Sequence, residues 1–169
     1  VGHYYRYGPY PPIAARKSRD RWPGQLGVRA VSSCMQHVEH LGIAVPDLEA
    51  ATETFAKLLN RQPDKTEAVE REGVSTVFFE LGQTKLELLG ATREDSPIAK
   101  YTAKKGAGIH HVAIEVADIH AEMQRLAEAG FELLNDEPKP GADNKLICFL
   151  HPKSTAGILV ELTMTRPAD

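Results

Sequence analysis

The chain has 169 residues, enough for one domain with a sizeable core or for two small fused modules that share one. No apolar run approaches the roughly 18 residues of a membrane helix, so a helical span is excluded. The formal net charge of −3 is unevenly spread: residues 1–36 carry six Arg/Lys against one acid, whereas residues 37–169 carry fourteen against twenty-two, a net of −8 that argues against a broad nucleic-acid surface.

Two cysteines, Cys34 and Cys148, lie far apart and outside any CxxC spacing, so neither a disulfide framework nor a cysteine zinc site is expected. A reducing compartment follows. The expected location is the cytoplasm, or the mitochondrial matrix if the N-terminal segment is a transit peptide.

Residues 1–36 mix Tyr, Pro, Gly and Arg without helical or strand periodicity and read as a tail. The favoured origin is cloning-derived or upstream translated sequence, because Met35 stands just before the first patterned residues. A transit peptide, or an extension docking through Trp22 and the tyrosines, are the other two readings.

An internal repeat begins next. His40-Leu-Gly-Ile-Ala-Val-Pro-Asp47 matches His111-Val-Ala-Ile-Glu-Val-Ala-Asp118 in His, Ile, Val and Asp at equal offsets, 71 positions apart. Each copy is a strand ending in an Asp able to cap a following helix. Leu48, Ala51, Phe55 and Leu58 should form the apolar face of the first helix, and Ile119, Met123 and Leu126 that of the second, with Gly130 at its C-terminus. Further strands are expected in the first copy near residues 65–70, at 74–81 and at 84–90, the last two joined by a tight Gly82-Gln83 turn. The second copy should have them at 131–134, 145–150 and 157–164. The fold class is α+β: a βαβββ module over residues 37–91, a linker with a short helix over 92–109 and a second module over 110–165, together one domain.

Strand alternation separates the adjacent histidines. Val112, Ile114 and Val116 should face the helix, and His110 shares their parity, whereas His111 points the other way beside Ala113. His40 is likewise flanked by Gly42 and Ala44, small residues that leave room for something bound. Glu87 follows His40 by 47 residues and Glu161 follows His111 by 50, each carboxylate lying inside an apolar strand where a charge is costly unless paired or metal-bound. With a pseudo-twofold axis between the copies, His40, Glu87, His111 and Glu161 can converge on one divalent cation. Mixed imidazole and carboxylate donors suit a transition metal better than calcium. Four protein ligands on an octahedral ion leave two positions for a chelating substrate, which the ion would serve as a Lewis acid.

The runs HLGIAVPDL, TKLELLGATREDSPIAKY, GIHHVAIEVADI and DEPKPGADNKLICFLHPKSTAGILVEL together resemble the methylmalonyl-CoA epimerase family of the vicinal oxygen chelate superfamily, over nearly all of residues 38–163. The resemblance implies two paired βαβββ modules in a cupped mixed sheet. It implies interconversion of (R)- and (S)-methylmalonyl-CoA through an enolate held by the metal. It places the metal ligands on His40, Glu87, His111 and Glu161, with Glu161 also the general base. Many relatives carry Gln where this chain has Glu87. Some bacterial members carry a second catalytic Glu where Thr76 stands, with Glu72 and Glu80 as conceivable substitutes.

The expected cation is Co²⁺, with Mn²⁺, Zn²⁺, Ni²⁺ or Mg²⁺ as alternatives, and the expected partner is a CoA thioester. Lys145, Lys153 and the Lys104-Lys105 pair are candidate phosphate contacts, and His151 to Ser154 a phosphate-binding or loop-anchoring element. No membrane or nucleic acid is expected, and the family suggests a homodimer. The rival activities are a glyoxalase-I-like lactoylglutathione lyase and a metal-free small-molecule binder of the same fold; four ligands rather than three speak against an extradiol dioxygenase.

Overall fold

Two aspartates set the helices of residues 35–166, the part of the chain that the computed structural model describes. Asp47 accepts a hydrogen bond from the Ala50 N–H at 2.9 Å and opens α1 (Leu48–Leu59), while Asp118 accepts from the Ala121 N–H at 3.0 Å and opens α3 (Ile119–Glu128). Between them Ser96 caps α2 (Pro97–Lys105), with Pro97 in the first turn where no amide hydrogen is needed. Gly130, φ 89°, takes the left-handed turn that ends α3. No described helix is long and apolar enough to cross a membrane.

The strands are β1 (Met35–Val45), β2 (Lys65–Val69), β3 (Val74–Leu81), β4 (Thr84–Ala91), β5 (Gly108–Val116), β6 (Lys139–Pro140), β7 (Lys145–Leu150) and β8 (Val160–Thr165). They form one curled mixed sheet in the order β2-β3-β4-β1-β5-β8-β7-β6. Each copy pairs its first strand in parallel with its last, β1 with β4 and β5 with β8, and the copies join through antiparallel β1 and β5. That order is symmetric about the β1–β5 seam, which is the pseudo-twofold relation the repeat implies. Gly82, φ 72°, makes the two-residue hairpin between β3 and β4.

α1 packs Leu48, Ala51, Phe55, Ala56 and Leu59 on Val77, Phe79 and Leu88. α3 buries Ile119, Met123 and Leu126 against Cys148, Leu150 and Leu162. The linker helix α2 seals a third cluster, Ile98 against Ala44, Val74 and Leu89. All three helices therefore close apolar surface, which leaves the centre of the sheet to carry polar groups.

Four expectations are corrected. The first strand begins at Met35, inside the segment read as tail; the remaining tail, with Cys34, lies outside the described residues. Leu58 is exposed and Leu59 turns inward, because eleven steps of about 100° bring Leu59, not Leu58, back over Leu48. Residues 131–134 form only the isolated bridge Leu133–Leu150, since the Asn135 side chain accepts from the Phe149 N–H and replaces a further ladder bond. The last strand starts at Val160 rather than Gly157, because Ala156 (φ 55°) and Gly157 (φ 89°) turn the chain.

Candidate metal centre

The four sequence-selected residues come together at the middle of the sheet. Register explains how. On β1, Gly42 lies between Glu87 of β4 and His111 of β5; on β5, Ala113 lies between Glu161 of β8 and His40 of β1. Each transverse row thus holds one carboxylate, one small residue and the imidazole of the other copy. Small size is required: a Cβ on Gly42 would stand 2.2 Å from Cε1 of His111.

Nε2 of His40 lies 2.9 Å from Nε2 of His111. Glu87 Oε2 is 3.3 Å from Nε2 of His40 and 3.5 Å from Nε2 of His111. Glu161 reaches the same two atoms at 3.8 Å through Oε1 and 3.6 Å through Oε2. All four residues are buried. Donor atoms of His40, His111 and Glu161 lie within 4.8 Å of one another, and this trio is the metal-competent cluster found among the described residues. Bonds of about 2.1 Å at right angles place neighbouring donors about 3 Å apart, so the spacing and the N,O donor chemistry fit a divalent cation. Two carboxylates facing two imidazoles in a buried site also need positive charge there.

The local electrostatics reflect that need. Burial pushes the Glu161 carboxyl up to about 8, with the Glu87 and Glu39 charges adding to the effect and His40 and Lys139 opposing it. Burial disfavours the charged form of His40, yet the hydrogen bond to Glu39 and the charges of Glu87 and Glu161 raise its pKa overall.

Two neighbours of His40 and His111 were not selected from sequence. Glu39, 6 % exposed, bonds Nδ1 of His40 through Oε2 at 2.5 Å. Its other oxygen accepts from Lys85 at 2.8 Å and lies 3.3 Å from Lys145 Nζ. Burial opposes its ionisation, but the bonds to His40 and Lys85 hold it far below the usual carboxylate range. The Glu39-His40 dipeptide was the available signal, since metal-binding imidazoles commonly hand their second nitrogen to a carboxylate.

His110 is the second. Contrary to strict alternation, it lines the same cavity as His111, with Nδ1 3.1 Å from Nδ1 of His111 and its ring edge-on to Tyr101. The pairing Gly42–His111 is followed by Ile43–Ile109, so His110 is the extra residue of a β-bulge and escapes period-two parity. Burial, helped by the proximity of His111, depresses His110 to about 4, so its ring is neutral at neutral pH.

The cluster opens on a cavity of about 290 Å³ whose wall includes Val74, Leu89, Ile98, Ile147 and Phe149. Thr76 lines it, as does Glu72, whose Oε1 accepts from Lys139 at 2.8 Å; Glu80 is exposed and is not among the lining residues. Lys145, which lines the cavity, is buried between Glu115 (2.9 Å), Thr165 and Glu39. The segment from His151 acts as an anchor: Ser154 Oγ donates to His151 O and accepts from the Glu132 N–H. Asp143, accepting from Lys65 at 3.0 Å and also from Lys85, ties the loop before β7 to β2 and β4.

Known proteins resemble this chain in sequence and fold. The family model of the glyoxalase/bleomycin resistance protein/dioxygenase superfamily matches residues 39–149. Human mitochondrial methylmalonyl-CoA epimerase is 44% identical over 126 residues, covering 74% of this chain and 72% of the relative. An ethylmalonyl-CoA/methylmalonyl-CoA epimerase of Cereibacter sphaeroides is 46% identical over 127 residues, 74% of this chain and 95% of that one. A solved methylmalonyl-CoA epimerase in complex with methylmalonyl-CoA and NH4+ superposes with a TM-score of 0.76 at 35% identity, over 80% of this chain and 98% of that one. The duplicated sheet and its buried histidine–carboxylate centre therefore belong to a member of the glyoxalase/bleomycin resistance protein/dioxygenase superfamily and, within it, of the methylmalonyl-CoA epimerase family.

Proposed function

We propose that this chain is a metal-dependent epimerase that interconverts (R)- and (S)-methylmalonyl-CoA, with His40, Glu87, His111 and Glu161 as the metal ligands and Co²⁺ as the preferred cation. The reading rests on two imidazoles 2.9 Å apart, each with both carboxylates at 3.3 to 3.8 Å, beside a largely apolar cavity in a chain 44% identical to an epimerase of that name. A bound divalent cation supplies Lewis acidity, offsetting the negative charge that develops on the thioester oxygen as the α-proton leaves.

The rest is the work of the chain. Glu161 takes the proton from the carbon between the thioester and the carboxylate. Without a cation, burial pushes that carboxyl up to about 8; a bound cation would counter the push and keep it ionised, ready to accept the C–H proton. The apolar wall of Val74, Leu89 and Ile98 excludes water from that carbon and so strengthens every charge interaction around it. Gly42 leaves room for the His111 ring, so that the imidazole can turn toward the site.

The decisive experiment follows single-epimer methylmalonyl-CoA by proton NMR in D₂O with metal-loaded protein. Loss of the α-proton signal with formation of both epimers is expected, and absence of deuterium uptake overturns the reading. Reloading the chelated protein should restore the fastest turnover with Co²⁺, ahead of Mn²⁺, Zn²⁺, Ni²⁺ and Mg²⁺. Light scattering should report a homodimer of the 18.6 kDa chain.

A further inference from the structure

We infer that Glu39 and His110 are a matched pair of positioning residues: a β-bulge in each copy places one of them against Nδ1 of the adjoining ligand histidine, leaving Nε2 of that ring for the metal. The inference rests on the metal reading above. The two residues occupy the same position in the repeat, one step before His40 and one step before His111.

In an unbroken strand that position points away from its neighbour's face. Here it does not. Along β1, the pairing Val38–Ile114 is followed by His40–Ala113, which makes Glu39 an extra residue; along β5, Gly42–His111 is followed by Ile43–Ile109, which makes His110 one. Bulges re-aim side chains, and these two turn both residues toward the site. The contacts that result are Glu39 Oε2 to His40 Nδ1 at 2.5 Å and His110 Nδ1 to His111 Nδ1 at 3.1 Å. In each case Nε2 is the ring atom that faces the opposite imidazole and both carboxylates.

Both positioning residues are themselves held. Glu39 is clamped by Lys85, and His110 by the edge of the Tyr101 ring at 4.9 Å, whose hydroxyl donates to the Ile109 carbonyl at 2.8 Å. With Nε2 given to the metal, the Nδ1–H of His40 would donate to a carboxylate and that of His111 to an imidazole nitrogen. A charged acceptor orients and polarises a ring more strongly than a neutral one. The two halves are therefore built alike but graded, with His40 the stronger donor.

The test uses Co²⁺ alone as probe, in competition with a chelator of known affinity, on the full chain. Glu39→Gln should weaken Co²⁺ binding about 10- to 100-fold, and His110→Phe, which keeps a ring against Tyr101 but removes the acceptor, by a smaller factor. Both should alter the visible absorption of bound Co²⁺, a readout that a purely structural role would leave unmoved. Glu39→Asp should recover part of the affinity. Unchanged affinity and spectrum in both variants overturn the pairing, whereas failure of the wild-type chain to bind Co²⁺ at all overturns the metal reading instead. Should a variant fail to fold, the ¹⁵N shifts of His40 and His111 in the Zn²⁺-loaded wild type decide: protonated Nδ1 on both rings is expected, and protonated Nε2 on either one refutes the assignment.

Discussion

The two copies of the repeat share a plan and differ in how they charge it. Ions surround the histidine of the first copy: Glu39 on His40, Lys85 and the second copy's Lys145 on Glu39, and the second copy's Asp143 on Lys85. The second surrounds its histidine with rings, His110, Tyr101 and Phe149, the last edge-on to His111 at 5.7 Å. The second copy has also shortened an edge strand, two residues in β6 against five in β2, and the freed segment Gly141–Asp143 lines the cavity. Duplication supplied the paired histidines and carboxylates, and divergence of the surroundings made the halves unequal. One carboxylate can then act as base while its counterpart only holds the ion.

The largest expected effect breaks the symmetry of the carboxylates. Glu161→Gln should cut deuterium exchange into methylmalonyl-CoA by about 10²- to 10⁴-fold, the usual contribution of a general base, while Glu87→Gln should stay within about tenfold because an amide oxygen still ligates. Equal losses would make the two sites interchangeable and remove the assignment of roles. Next, Gly42→Ala forces the His111 ring aside and should raise the Kd for Co²⁺ at least about tenfold, whereas Ala113→Gly, at the equivalent point, should change it little. Chelator competition reads both.

A smaller effect concerns acid stability with metal removed. His110 titrates at about 4 in the folded chain against 6.5 when exposed, so between those values the unfolded chain binds the extra proton. Its contribution is intact above pH 6.5 and is lost as the pH falls toward 4, on the order of 2–3 kcal/mol. Denaturant titrations of wild type and His110→Gln should therefore converge on acidification; parallel curves would contradict a buried neutral ring. Smallest is the reactivity of Cys148, fully buried with its thiol pushed up by that burial to about 11. In a Cys34→Ser background it should label slowly with a disulfide reagent at pH 8 until the chain is unfolded, and rapid native labelling would show that the α3 core opens locally.

Much of this was legible in the residues themselves. The histidine–carboxylate quartet followed from the repeated histidines and the similar offsets, 47 and 50 residues, of the carboxylates after them, and the helix starts from Asp47 and Asp118, because caps and periodicity are local properties. The bulges were not legible: Glu39 and His110 look like ordinary alternating residues until β1 is paired with β5, and register belongs to two strands at once. The setting of Lys145 was hidden for a related reason. An isolated lysine suggests a surface charge, and only the β5–β8–β7 packing sets it between Glu39 and Glu115. The inward turn of Leu59 needed nothing more than exact helical phase over three turns.

The crossed rows of the sheet carry one more implication. Because Glu87 and His111 share a row, as Glu161 and His40 do, neither repeat by itself contains a complete line of donors. Severing the chain between α2 and β5 would yield two fragments that are each incompetent to capture a cation, and reassociation alone would regenerate the centre. On the metal reading proposed above, ion capture would report whether the two halves have met.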